Sequence, residues 1–103
     1  MAKNIIWTRH AEYKLCQHML SKSRVRRAMH SPDRIEKGIA EGTIAMMKKE
    51  RSAKKEYEVW VMIIDKDFVR QIISAWKYPG ITRPGEPLPE AIVAEIDIAI
   101  QKL

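Results

Sequence analysis

The 103 residues, 12.0 kDa, make one small domain, since domains run to about 100–200 residues. With 46% hydrophobic residues, four Gly and five Pro the chain is globular rather than disordered, and its single cysteine, Cys16, excludes an internal disulfide and a multi-cysteine zinc site. Nineteen Lys and Arg against 13 Asp and Glu give a net charge of +6 and point to a polyanionic partner.

No run approaches the roughly 18 apolar residues of a membrane helix, and Met1 to Trp7 lack a secretory leader pattern, so a cytoplasmic protein with no membrane partner is expected. The charge is unevenly spread. Residues 1–55 hold 14 basic and 5 acidic side chains, a balance of +9, while residues 56–103 hold 5 and 8, a balance of −3. Two basic clusters, Lys22/Arg24/Arg26/Arg27 and Lys48/Lys49/Arg51/Lys54/Lys55, dominate the first half. Either alone is an ordinary solvated face. Both in one small domain favour phosphate contacts, because each neutralised phosphate releases counterions. The reading is one basic surface around the first two helices, with the acidic C-terminal helix facing away.

In chain order, Lys3 to Trp7 reads as a strand ended by Thr8, an N-cap. From Arg9 to about Leu20 the apolar positions Ala11, Leu15, Cys16, Met19 and Leu20 predict an amphipathic helix. Ser21 or Ser23 caps a second helix through about His30, with Val25, Ala28 and Met29 inward, and Ser31-Pro32-Asp33 ends it. Gly38 and Gly42 argue against a helix over residues 34–50, leaving two short strands. Tyr57–Ile64 and Phe68–Trp76 form a β-hairpin across Asp65-Lys66-Asp67. Simple alternation sets Val69, Ile73 and Ala75 on one face and Arg70, Ile72, Ser74 and Trp76 on the other. Pro79 to Pro89 is an extended loop, and Pro89 opens a final helix carrying Ile92, Ile96, Ala99, Ile100 and Leu103.

Few residues suggest chemistry. His10 lies in the first helical turn, where the macrodipole lowers an imidazole pKa, and Lys14 follows one turn later, so the pair suits a phosphate beside a proton-transfer group. The same pair is common on an ordinary helix surface. Ser74 on an apolar strand fits no catalytic triad. His18 and His30 have no helix-spaced ligand beside them, so no metal site is expected and their roles read as structural. Cys16 reads as a small core residue, and Trp7, Trp60 and Trp76 as core aromatics, with Trp76 the best placed to stack on a base.

Ile6-Trp7-Thr8-Arg9-His10-Ala11-Glu12-Tyr13-Lys14-Leu15 resembles the strand and "His-Ala-x-x-basic" helix that opens a family of small bacterial proteins of uncharacterised function. Leu20 to Val25, continuing through Ser31-Pro32, is similar to that family's second helix. Ile72-Ile73-Ser74-Ala75-Trp76-Lys77 resembles the "Ile-Ile-Ser-Ala-Arg-Lys" strand of BrnT toxins, members of the RelE-like fold shared by ribonuclease toxins that cleave RNA without a metal. The resemblance covers roughly residues 4–78. It implies a helix-on-sheet nuclease scaffold with His10, Lys14, Ser74 and Lys77 at matching positions. Trp76 departs from the family Arg and removes a phosphate-stabilising cation; Arg70, on the face of Ser74 by alternation, is the substitute. Pro79 to Pro89 has no counterpart in the family pattern.

The sequence therefore predicts an α+β protein: an antiparallel sheet with two N-terminal helices packed on one face over residues 1–78, as in RelE and BrnT proteins, and a Pro-rich loop with a C-terminal helix over residues 79–103 packed on the same domain. The expected function is a metal-independent endoribonuclease of bacterial toxin type that needs no cofactor. His10 would take the ribose 2′-OH proton, Arg70, Lys14 and Lys77 would hold the phosphate, and Ser74 would orient it. Lys22, Arg24, Arg26, Arg27, Lys48, Lys49 and Trp76 would bind the RNA, and an antitoxin protein would bind the basic groove. The alternatives are a non-catalytic nucleic-acid-binding or regulatory module on the same scaffold, and a protein-interaction domain docking through its prolines and last helix. Monomer and dimer both stay open.

Overall fold

The structure, a computed structural model, describes residues 4–39, 41–84 and 90–103. Their elements are β1 (Asn4–Trp7), α1 (Arg9–His18), α2 (Lys22–His30), β2 (Arg34–Lys37), β3 (Thr43–Ser52), β4 (Lys55–Lys66), β5 (Val69–Pro79) and α3 (Glu90–Gln101). Thr8 caps α1, its hydroxyl accepting the Ala11 N–H at 3.1 Å, and Met19 ends the helix in the left-handed region at φ 54°. Ser21 rather than Ser23 caps α2, accepting the Arg24 N–H. Gly38 sits where an added Cβ would lie 1.9 Å from the Thr43 hydroxyl, and Gly42 adopts φ +83°, so each is required by the turn between β2 and β3. The expected loop from Pro79 is shorter at its start, because β5 runs through Pro79; residues 85–89, including Pro89, lie outside the described residues.

All five strands join one sheet in the order β1-β5-β4-β3-β2. The sheet is mixed, not antiparallel. β2, β3, β4 and β5 alternate in direction, but β1 pairs parallel to β5, Asn4 opposite Val69 and Trp7 opposite Ile72. Hairpin signals fix the direction only between neighbours in sequence. The partner of β1 lies some 65 positions further along the chain, and β1 carries no turn signal toward it.

Simple alternation also fails on β5. Met62 pairs with Ser74 and Ile63 with Ile72, so Ile73 is an extra residue in a β-bulge. Ile72 and Ala75 consequently share one face with Val59, Val61, Ile63 and the helix residues Ala11, Leu15, Val25 and Ala28. Trp76 lies in the opposite core with Ala45, Met47, Trp60, Met62 and Ile96 of α3, and Ser74 shares its side of the strand. The helices thus sandwich the sheet, α1 and α2 against one face and α3 against the other. On α1, Cys16 is exposed rather than in the core, and Lys14 is buried instead. At 3.6 residues per turn, Cys16 falls about 140° from Ala11, whereas Lys14 falls within about 60° of it. No helix of the described residues is long and apolar enough to cross a membrane.

Candidate nucleic-acid interface

β1 stops at Trp7, so β5 beyond Ile72 lacks a strand neighbour on that side. α1 runs along this open edge. The Thr8 hydroxyl donates to the Ile72 carbonyl at 2.8 Å, and at the other end of the helix Nδ1 of His18 accepts the Lys77 N–H at 3.3 Å. These bonds bring His10, Lys14 and His18, spaced four residues apart on one stripe of α1, against the strand edge. Lys14 reaches past it to α3, where its ammonium pairs with Glu95 at 2.5 Å. The acidic helix therefore does not face away from the helical surface, because the open edge lets the long lysine stem pass to it. Burial holds both imidazole pKa values below the usual 6.5, with Lys14 adding to the effect and Glu95 opposing it. Nε2 of each histidine is buried with no hydrogen-bond partner among the described residues.

The four expected catalytic residues do not surround one phosphate. Arg70 stands near the start of β5, forked onto Asp65 through bonds of 2.8 and 2.9 Å that hold its pKa up. Lys77 lies seven residues on, roughly 20 Å along a strand. Because the bulge intervenes, Arg70 is on the face of Ile72 and Ser74 on the other, so Arg70 is no substitute for the family Arg beside Ser74. Ser74 is 1% exposed. Trp76 is fully buried and stacked on Trp60, centroids 5.8 Å apart and planes parallel within 1°, so its ring is not presented to a base.

Cations gather instead at the far end of the sheet. The tip of the β3–β4 hairpin and the end of β5 enclose a groove of about 1040 Å3 lined by Arg51, Lys54, Lys55, Tyr57 and Lys77. The Lys77 ammonium lies 4.4 Å from the Tyr57 ring centroid, and Arg24 of α2 donates to the Tyr57 hydroxyl, its guanidinium 6.0 Å from the ring. Among the described residues Lys54, Lys55 and Lys77 have no carboxylate within ion-pair distance, while Arg51 pairs with Glu56 at the exposed rim. The remaining expected RNA contacts are dispersed. Lys22 and Arg26 flank Trp7 at 5.1 and 5.9 Å, Arg27 pairs with Glu50, Lys48 with Asp33, and Lys49 is exposed on β3.

No protein-family model, curated protein or solved structure matches the chain. Among the described residues no group of three or more His, Cys, Asp or Glu is arranged to hold a metal ion.

Sequence reading found the hairpin-tip lysines as part of a charge run, but not Tyr57 as their centre, because the partners Arg24 and Lys77 lie 33 residues before it and 20 after. Glu58 was also missed. Fully buried, it accepts from Trp60 Nε1 at 3.0 Å, from the Thr82 hydroxyl at 2.7 Å and from the Thr82 N–H at 3.1 Å, tying the segment after β5 down onto the sheet. Arg34 joins this network, stacked 5.1 Å over Trp60 and donating to the Thr82 carbonyl.

Proposed function

We propose that the protein binds single-stranded RNA non-catalytically through the groove around Tyr57, on a scaffold of the BrnT and RelE kind. The observation that carries this reading is the convergence of Lys54, Lys55, Lys77 and Arg51 on one open groove whose Tyr57 is bonded by Arg24. A strand's phosphates supply the repeated negative charge that such a set attracts, and release of their counterions drives the association. The choice of RNA rests on the resemblance to ribonuclease toxins; the choice of binding over cleavage rests on the separation of Arg70, Ser74 and Lys77. An antitoxin-type partner protein would present carboxylates to the same groove and compete with RNA.

Fluorescence anisotropy with a labelled single-stranded RNA tests the proposal. The wild type should bind with an affinity that falls steeply with salt. Replacing Lys54, Lys55 and Lys77 together by alanine should weaken binding at least tenfold and reduce the slope of log affinity against log salt by about 2, at about 0.7 per lost contact. Salt-independent binding, or an unchanged slope in the triple variant, overturns it.

The cleavage reading keeps one supporting feature, neutral imidazoles beside a lysine on α1. It predicts shortened RNA products that disappear in His10→Gln, measured on the same oligonucleotide by denaturing gel.

A further inference from the structure

Lys14 is a lysine out of place. Its side chain is 3% exposed, and a buried ammonium persists only when paired. The one carboxylate recorded on it, Glu95, arrives from α3, 81 residues along the chain, and keeps 39% of its own side chain exposed. Glu95 borders solvent; Lys14 does not. On either side of Lys14, one helical turn away, stand His10 and His18. Since His18 Nδ1 accepts the Lys77 N–H, its neutral ring carries its proton on Nε2, and that buried N–H has no acceptor among the described residues. Nε2 of His10 is buried and equally unmatched.

The donors exceed those that the occupant takes up. The ammonium offers three protons and His18 a fourth, whereas Glu95 is recorded accepting from Lys14 alone, through one oxygen. A tetrahedral oxyanion presents more acceptors, spread in more directions, than a carboxylate does. The neutral His18 ring adds a donor without adding charge that would need burial.

We propose that Lys14, His18 and His10 form a binding site for a phosphate-class oxyanion, and that Glu95 is its built-in occupant. An incoming phosphate takes the ammonium and the His18 N–H, and Glu95 turns out to solvent, loosening the tie between α1 and α3. The site is separate from the groove around Tyr57 and stands or falls apart from it. Its ligand is either free phosphate or a phosphodiester of a nucleic-acid strand.

NMR of the full-length protein, labelled at histidine and lysine, distinguishes these. Wild type and Glu95→Gln are titrated with inorganic phosphate and, separately, with a single-stranded RNA lacking terminal phosphates, following His18 Nε2 and Lys14 Nζ. In Glu95→Gln one of the two anions should shift both resonances, with half-saturation at least tenfold lower than in wild type. Lys14→Met in the same background should abolish the response. A response to inorganic phosphate identifies free phosphate as the ligand, and a response to RNA alone identifies the phosphodiester. The proposal is overturned if neither anion shifts the two resonances, if Glu95→Gln binds no more tightly than wild type, or if the response survives Lys14→Met. Should Glu95→Gln not fold, Glu95→Asp, which withdraws the carboxylate by one methylene, is held to the same criteria with a gain of at least threefold.

Discussion

His18 accepts the backbone N–H of Lys77 through Nδ1 at 3.3 Å, so a side chain on α1 does for β5 what a neighbouring strand would otherwise do. Only the unprotonated ring can accept.

That requirement fixes the sign of the pH dependence. The folded pKa values of His10 and His18 lie below 6.5, chiefly through burial and secondarily through Lys14, with Lys77 acting on His18, Lys102 on His10 and Glu95 opposing on both. Below pH 6.5 the unfolded chain takes up protons that the folded chain still refuses. Stability should therefore be complete above pH 6.5 and decline as the pH falls from there through the folded pKa values. Urea midpoints at pH 7.5 and 5.5 check this, and the decline between them should shrink in a His10→Gln, His18→Gln double variant.

Glu58 is the single acceptor for three donors. Glu58→Ala leaves the buried Trp60 N–H unmatched and hands the half-buried Thr82 donors to water, so a loss of about 1–3 kcal/mol, the cost of one stranded buried donor, is expected in chemical denaturation. Hydrogen exchange at the Thr82 amide should accelerate more than at β4 amides, because the segment after β5 loses its anchor there.

Arg70 and Lys77 sit on one strand but should behave differently. Arg70 is forked onto Asp65 and partly exposed, so Arg70→Ala should cost about 1 kcal/mol or less of stability and leave RNA affinity within twofold of wild type. Lys77→Ala should weaken RNA binding several-fold with little change in the thermal midpoint. Paired anisotropy and melting measurements on the two variants decide it.

Cys16 faces solvent on the side of α1 away from the core. It should react stoichiometrically with a small thiol reagent in the absence of denaturant, and the modified protein should keep the circular dichroism spectrum of the untreated one.

The helices, the β3–β4–β5 meander and most core positions were legible because local signals carry them: Thr8 and Ser21 as caps, Val25/Ala28/Met29 at helical spacing, β-branched and aromatic residues from Tyr57 to Ile64. What escaped depends on contacts distant in sequence. β1 runs parallel because it borders the last strand rather than its neighbour. Lys14 is buried because α3 returns with Glu95. Arg70 and Ser74 part company because of one unpaired residue between them. At the candidate site, charge density marked the lysines of the hairpin tip, but nothing local to Arg24, Tyr57 or Lys77 announced that they meet.

Ile73 has a wider consequence. A strand is a two-phase pattern, and one inserted residue shifts that phase for everything downstream. Residues 74 to 79 are therefore out of step with residues 69 to 72, and Ile72-Ile73-Ser74-Ala75-Trp76-Lys77 straddles the shift. Two strands with that six-residue string in common would present different side chains to a ligand if only one were bulged. Deleting Ile73 should close the bulge and leave Trp76 on the α3 side and Lys77 on the α1 side, because Ile63 and Met62, the partners of Ile72 and Ser74, are already adjacent on β4; the bulge absorbs the extra residue, and no charged residue on the strand decides which chemistry β5 displays on each side of the sheet.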